Sequence, residues 1–311
     1  MNQQMTSKLS VVIPTYRREH VLRNTVAALL ALNKPANEVL LIDETENHDP
    51  ETLRVLKRAE ADGLIRWRRH RTPGQVSKLN RGLMEAQGEI VLFLDDDVEF
   101  LGEMVEAHRH AHAEHPEAWA VVGQVLQPGE EPSPPGKRRI GGSALRRDLD
   151  FPFRSTSPGW VENVITCNLS VRRDRALAVG GFDENFIPPV AHRAETEFAK
   201  RLVAAGGRIW FEPAASVRHL RAARGGTRSA GGHLTSASPV HGVGDYYYAL
   251  RRGKGWDRIR YMARRPFREV CTRFHLRHPW WIPVKFIGEL RALALALRLH
   301  RAGPKLAGGA S

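Results

Sequence analysis

The chain has 311 residues, 42% hydrophobic and 26% charged, proportions that exclude wholesale disorder and an integral membrane protein. Its net charge is +13, but residues 251–311 hold 15 Lys/Arg against 3 Asp/Glu, which leaves only +1 for the rest; a charge-balanced domain with a basic segment suited to an anionic surface is expected. Cys167 and Cys271 give neither a disulfide framework nor a metal-ligand spacing, the polar start carries no export signal, and no apolar run reaches the roughly 18 residues a spanning helix needs, so a cytoplasmic protein, at most peripheral at the cytoplasmic face of a membrane, is expected.

Residues 9–13 read as a buried strand, and Pro14-Thr15-Tyr16-Arg17-Arg18 as the loop leaving its carboxyl end. Val21, Leu22, Val26, Leu29 and Leu30 follow helical spacing up to Lys34-Pro35. Residues 39–42 form a second buried strand with Asp43-Glu44-Thr45 at its end, then come a short helix closed by Gly63 and a more polar strand at 65–69. After a Pro-Gly turn, a helix carries Lys78, Asn80, Arg81 and Met84 to Gly88. The unbroken apolar run 90–94 suits a strand covered on both faces, and Asp95-Asp96-Asp97 follows at once. Alternating strands and helices predict an α/β fold with a mostly parallel central sheet flanked by helices.

Ligands of open α/β sheets collect at the carboxyl ends of the strands, where these three acids would sit. Residues two apart in extended chain point the same way, so Asp95 and Asp97 would share a site from which Asp96 turns aside. Crowded carboxylates repel unless a cation joins them, and oxygen ligands favour Mg²⁺ or Mn²⁺ over zinc. The plain alternative is a solvated acidic turn.

Residues 101–115 read as a helix whose His108, His112 and His115 share a face expected to be solvated. A strand follows at 118–126, then a Pro/Gly/basic loop at 127–142 and an apolar stretch at 160–171; Asp174 would cap a helix running to Val179. Gly180-Gly181-Phe182-Asp183 leads to a helix start at Ala194-Glu195-Thr196-Glu197, short strands cover 209–211 and 215–217, and His219 ends the section. Residues 223–244 look like a flexible loop, and helices are expected at 246–250, 256–262, 267–276 and 280–299.

This order of motifs resembles the family 2 glycosyltransferases of the GT-A fold over roughly residues 8–222: Val11-Val12-Ile13-Pro14-Thr15-Tyr16, Asp43, Asn80-Arg81-Gly82, Leu94-Asp95-Asp96-Asp97, Gly181-Phe182-Asp183-Glu184, Glu195-Thr196-Glu197 and His219. The resemblance implies a GT-A domain over 1–222, with a nucleotide-sugar donor half at 8–100, an acceptor half at 118–222 and a basic helical extension at 245–311. It implies single-sugar, inverting transfer from a nucleoside-diphosphate sugar to a hydroxyl of an envelope glycan or lipid-linked saccharide. In that reading Asp95 and Asp97, with His219 as a further ligand, hold Mg²⁺ or Mn²⁺, and Glu195 is the base, with Glu197 as the alternative. Pro14, Thr15, Arg17, Asp43, Lys78, Asn80 and Asp96 would line the donor pocket. The sequence departs from the family's pattern at Glu44, where an Asp or Gly is common, and at Ala194-Glu195, where Glu-Asp is common; it lacks the Gln-x-x-Arg-Trp of processive synthases.

Ile282, Phe286, Leu290, Leu293 and Leu297 follow helical spacing behind Trp280-Trp281, as in a helix lying on an anionic membrane surface, although packing on the domain would explain Leu295 and Leu299 equally well. Rival readings are a nucleic-acid binder, for which no motif is present, a nucleotidyltransferase, which would show glycines near the first strand, and a catalytically silent nucleotide-binding scaffold. No nucleic-acid partner is expected.

Overall fold

The computed structural model describes residues 7–134, 143–188, 191–222, 225 and 232–308. Four strands, β1 (Leu9–Thr15), β2 (Glu38–Asp43), β3 (Arg66–Arg69) and β4 (Ile90–Leu94), pair in parallel in the order β3-β2-β1-β4. Helices α1 (His20–Leu30), α2 (Pro50–Ala61) and α3 (Gln75–Glu85) make the crossovers. Every residue of β1 and β4 is buried, as strands covered on both faces require. Asp49 caps α2 by accepting the Thr52 N–H at 2.6 Å, with Pro50 at the first helical position. Gly82 lets α3 lie close on β1, since a β-carbon there would fall 2.2 Å from Val12 Cγ1.

The second half comprises β5 (Val98–Leu101), α4 (Met104–Glu114), β6 (Ala118–Leu126), β7 (Gly159–Val161), β8 (Asn168–Arg172), α5 (Arg173–Ala178), α6 (Ala194–Ala204) and β9 (Arg208–His219). Here the sheet is mixed. β8 runs antiparallel between β4 and β6, β9 is parallel to β6, and β5 and β7 pair antiparallel with β9. Parallel neighbours need a crossover, usually a helix, and none lies between β6 and β8 among the described residues.

Two expectations change here. His108 and His112 lie buried against the sheet rather than on a solvated face. Asn168 and Ser170, alternate residues of β8, reach them: His108 Nε2 lies 2.8 Å from Asn168 Oδ1, and His108 Nδ1 and His112 Nε2 lie 2.8 and 2.9 Å from Ser170 Oγ. Burial pushes His108 down to about 4 and His112 well below its ordinary value. Asp174 falls within the first turn of α5 instead of capping it, because the helix starts at Arg173 and its cap position is Arg172.

The C-terminal helices are α7 (Val243–Arg252), α8 (Gly255–Val270), α9 (Arg273–Arg277) and α10 (Trp281–Ala302). They are continuous with the domain rather than appended to it: Tyr246, Tyr247 and Tyr248 are fully buried in the same hydrophobic cluster as Val12 and Phe93 of the sheet. The Tyr247 hydroxyl and the Lys305 N–H both donate to Asp183, at 2.7 and 2.9 Å. α8 runs on through Pro266 and breaks only after Val270, so the expected stop near residue 262 is absent. Of the two expected loops, residues 135–142 and most of 223–231 lie outside the described residues. No helix among the described residues is long and apolar enough to cross a membrane.

Candidate active site

The carboxyl ends of β1, β2 and β4 meet the end of β9 and the start of β8 at one edge of the sheet. The antiparallel pairing of β5 with β9 sets Val98 opposite His219, and so brings a histidine more than 120 residues distant beside the acids that end β4. One atom each from Asp95, Asp97 and His219 lies within 4.8 Å of the others. His219 Nε2 is 3.2 Å from Asp97 Oδ1 and 3.7 Å from Asp95 Oδ2. Its Nδ1 lies 3.2 Å from Gln127 Oε1, which orients the ring.

Asp96 points the other way, as two-residue alternation requires. It accepts the Thr15 hydroxyl at 2.6 Å and faces Arg18, whose Nε lies 3.6 Å away. Arg18, 7% exposed, also approaches Asp97 Oδ2 at 3.4 Å, and its Nε and Nη1 have no hydrogen-bond partner among the described residues. Sequence reasoning named Arg17 and missed Arg18. Arg17 is exposed, with its guanidinium 5.1 Å from the Tyr16 ring; the available signal was that buried acids at one strand tip demand a cation from the next.

Charge in this cluster is unbalanced. Burial pushes Asp95 up; His219 opposes this, while Asp97, Asp96 and Glu195 add to it, and its carboxyl rises to about 7. Asp96 is raised to about 6, mainly by burial and against the pull of Arg18. Asp97 sits below the usual carboxylate range: burial works against it, but His219, the Ala222 N–H at 2.8 Å and Arg18 prevail. Two carboxylates and an imidazole make a donor set that suits Mn²⁺ or Mg²⁺.

Glu195 opens α6 beside this group. Its Oε1 accepts the Thr166 N–H and hydroxyl at 2.6 and 2.5 Å, while Oε2 has no protein donor among the described residues. Burial raises its carboxyl above the ordinary value, against the Thr166 bonds. Glu197, the alternative base, is fully buried in ion pairs with Arg201 and Arg252, each at 2.8 Å. Helical rotation turns it into the core, so it does not reach the site.

Two residues expected in the donor pocket also hold the fold together. Asn80 is fully buried and clips α3 to the Gly-Phe-Asp turn: its Nδ2 donates to the Phe182 carbonyl at 2.8 Å and its Oδ1 accepts the Phe182 N–H at 2.7 Å. Gly181, at φ +61°, allows this approach, since a β-carbon would lie 2.6 Å from Asn80 Oδ1. Asp43 is likewise buried: its Oδ1 accepts the Thr45 N–H at 2.8 Å, and its Oδ2 meets His48 at 2.8 Å, Trp67 Nε1 at 2.9 Å and Arg69 at 3.0 Å. Lys78 is paired with Glu44 over the Tyr16 ring. Pro14 and Thr15 end β1 between Asp43 and the acids.

Residues 10–178 match the family model described as glycosyl transferase family 2. Over 216 residues the chain is 28% identical to the O-antigen biosynthesis protein RfbC of Myxococcus xanthus, covering 66% of this chain and 16% of that protein. Over 146 residues it is 27% identical to the poly(ribitol-phosphate) beta-N-acetylglucosaminyltransferase TarP of Staphylococcus aureus (strain N315), covering 46% and 44%. The chain thus spans well under two thirds of either relative. Its structure is similar to the mannosyltransferase PcManGT from Pyrobaculum calidifontis in complex with GDP-Man and Mn²⁺, with a TM-score of 0.54, 20% identity, and coverage of 96% of this chain and 78% of that one. At that identity the likeness is one of fold.

Proposed function

The chain belongs to glycosyl transferase family 2 and has the GT-A fold, and on that premise we propose that it moves a single sugar from a nucleoside-diphosphate sugar to a hydroxyl of an envelope glycan or lipid-linked saccharide, with inversion. The observation that carries the reading is the pairing of an acid-rich, cation-deficient cluster, Asp95, Asp97 and His219, with a carboxylate that keeps one oxygen uncommitted, Glu195. The relatives named for O-antigen and poly(ribitol-phosphate) work support the acceptor class, and the Mn²⁺ and GDP-Man held by the structural neighbour support the donor class.

Asp95, Asp97 and His219 would hold the divalent cation, which when bound stabilises the charge that grows on a departing diphosphate. Thr15 and Arg18 hold Asp96 away from that cluster, so Asp95 and Asp97 converge on one point. Arg17, exposed beside the Tyr16 ring, would offer its guanidinium to phosphate oxygens. Glu195 takes the proton from the acceptor hydroxyl: burial raises its proton affinity above that of a free carboxylate, and Thr166 fixes its direction. One base and one displacement at the anomeric carbon give inversion.

Calorimetry with a panel of nucleoside diphosphates, with and without Mn²⁺, followed by turnover of the matching nucleotide sugars, tests the reading. Metal-dependent binding of one nucleotide and donor turnover are expected; no binding by any of them would refute it.

A further inference from the structure

The transfer proposed above uses none of the outer surface of α8, α9 and α10. Twelve large hydrophobic side chains are exposed among the described residues, and nine of them fall between 256 and 297. Trp256, Phe267, Leu276 and Trp280 are 73%, 69%, 78% and 62% exposed, and Phe286 and Leu290 43% and 53%. On α8, Trp256 and Phe267 lie on one helical face while Tyr261 and Arg265 face inward; on α10, Phe286, Leu290 and Leu297 face out while Glu289, Ala292 and Ala296 face in. Both helices rest on α7 and on each other, so their apolar stripes are left without cover.

The charges are sorted in the same sense. Ten Lys/Arg between 251 and 308 are exposed, and none of the three acids is. Asp257 accepts the Ser143 hydroxyl at 2.6 Å, Glu269 lies 3.3 Å from Arg268, and Glu289 lies 2.9 Å from Arg265 and 3.2 Å from Lys285. What faces outward is therefore apolar and cationic.

We propose that the outer faces of α8, α9 and α10 dock this protein on an anionic phospholipid bilayer, with Trp256, Phe267, Leu276 and Trp280 entering the interface while the arginines meet lipid phosphates. A second copy of the chain is the poorer occupant, because a two-fold interface would set the same cationic patch against itself. The inference stands on this surface alone and does not need the sugar-transfer reading.

The test is flotation of the full chain with vesicles of phosphatidylcholine alone or mixed with phosphatidylglycerol, at low and high salt. Binding to the anionic vesicles at least about tenfold above the neutral ones, weakened by salt, is expected. Two triple variants, W256A/F267A/L276A and R260E/R264E/R277E, each lose about tenfold or more of that binding while melting temperature and nucleoside-diphosphate binding stay unchanged. Absent binding, equal binding to both vesicle types, or binding that survives both triples overturns the proposal. So does a dimer in sedimentation that W256A/F267A/L276A dissolves without any vesicle association.

Discussion

Two clusters of ionisable groups lie in this protein, and they are built on opposite principles. Between α7, α8 and α10 the two fully buried acids have their cations: Arg265 joins Asp245 and Glu289, Arg193 and Arg268 reach Asp245 at 2.9 and 3.2 Å, Lys285 reaches Glu289, and the Tyr246 hydroxyl donates to Glu289 at 3.0 Å. At the strand tips three aspartates and Glu195 share one arginine and one histidine, at contacts of 3.2–3.7 Å, and Asp95 is driven up to about 7. A matched network completes itself and serves the fold. An unmatched one leaves charge for a ligand to neutralise.

The sharpest break between the two is in what their loss would do. Asp95→Ala removes the carboxylate of the unmatched cluster whose charge burial and its acidic neighbours most disfavour, and donor turnover should fall by ~10³-fold or more with the melting temperature held or raised, because relieving that repulsion compensates for the lost contacts. Glu195→Gln should lower kcat by ~10²–10⁴-fold while metal-dependent nucleotide binding survives in calorimetry; a loss of binding instead would move Glu195 from proton acceptor to structural post.

Arg265→Ala reverses the pattern. It removes the buried cation that Asp245 and Glu289 share, leaving Arg193, Arg268 and Lys285 as their partners, and urea unfolding should show a loss of ~3 kcal/mol, while the fraction still folded turns over donor normally. Equal damage to stability and turnover would mean that the two clusters are coupled.

Acidity gives two smaller contrasts. Glu195 works as a carboxylate and its pKa lies above the ordinary 4.5, so kcat should be lost as pH falls through a value above 4.5, and Glu195→Gln should abolish that limb. His108 is fully buried and neutral, and its folded value of about 4 lies below 6.5. Below pH 6.5 the unfolded chain takes up this proton and the folded chain does not. The stability is therefore complete above pH 6.5 and drains away between 6.5 and about 4, with a slope of about 1.4 kcal/mol per pH unit for one proton. Chemical denaturation across that range should show the slope, and His108→Gln should reduce it.

Much of this site was readable along the chain. Strand-tip acids, the outward turn of Asp96 and an acid at the start of α6 all follow from two- and 3.6-residue periodicities, which are local. Less readable were the contacts that residues make with partners distant in the chain. Asn80 and Asp43 have the chemistry of ligand contacts, and each also makes hydrogen bonds within the fold, to Phe182 in one case and to His48, Trp67 and Arg69 in the other. His108 and His112 read as solvated because the polar residues that receive them, Asn168 and Ser170, lie on a strand about 60 positions away.

Sequence alone was enough for the sheet's first half and for where its carboxylates emerge, because apolar runs and side-chain alternation depend only on near neighbours. Tertiary structure alone decided which acids stay unbalanced: His219 arrives through β5–β9 pairing, Arg18 by folding back over the tips, and Glu197 departs into the core with Arg201 and Arg252. Counter-charges are supplied through space, and the distances that set them are created only when the chain closes on itself.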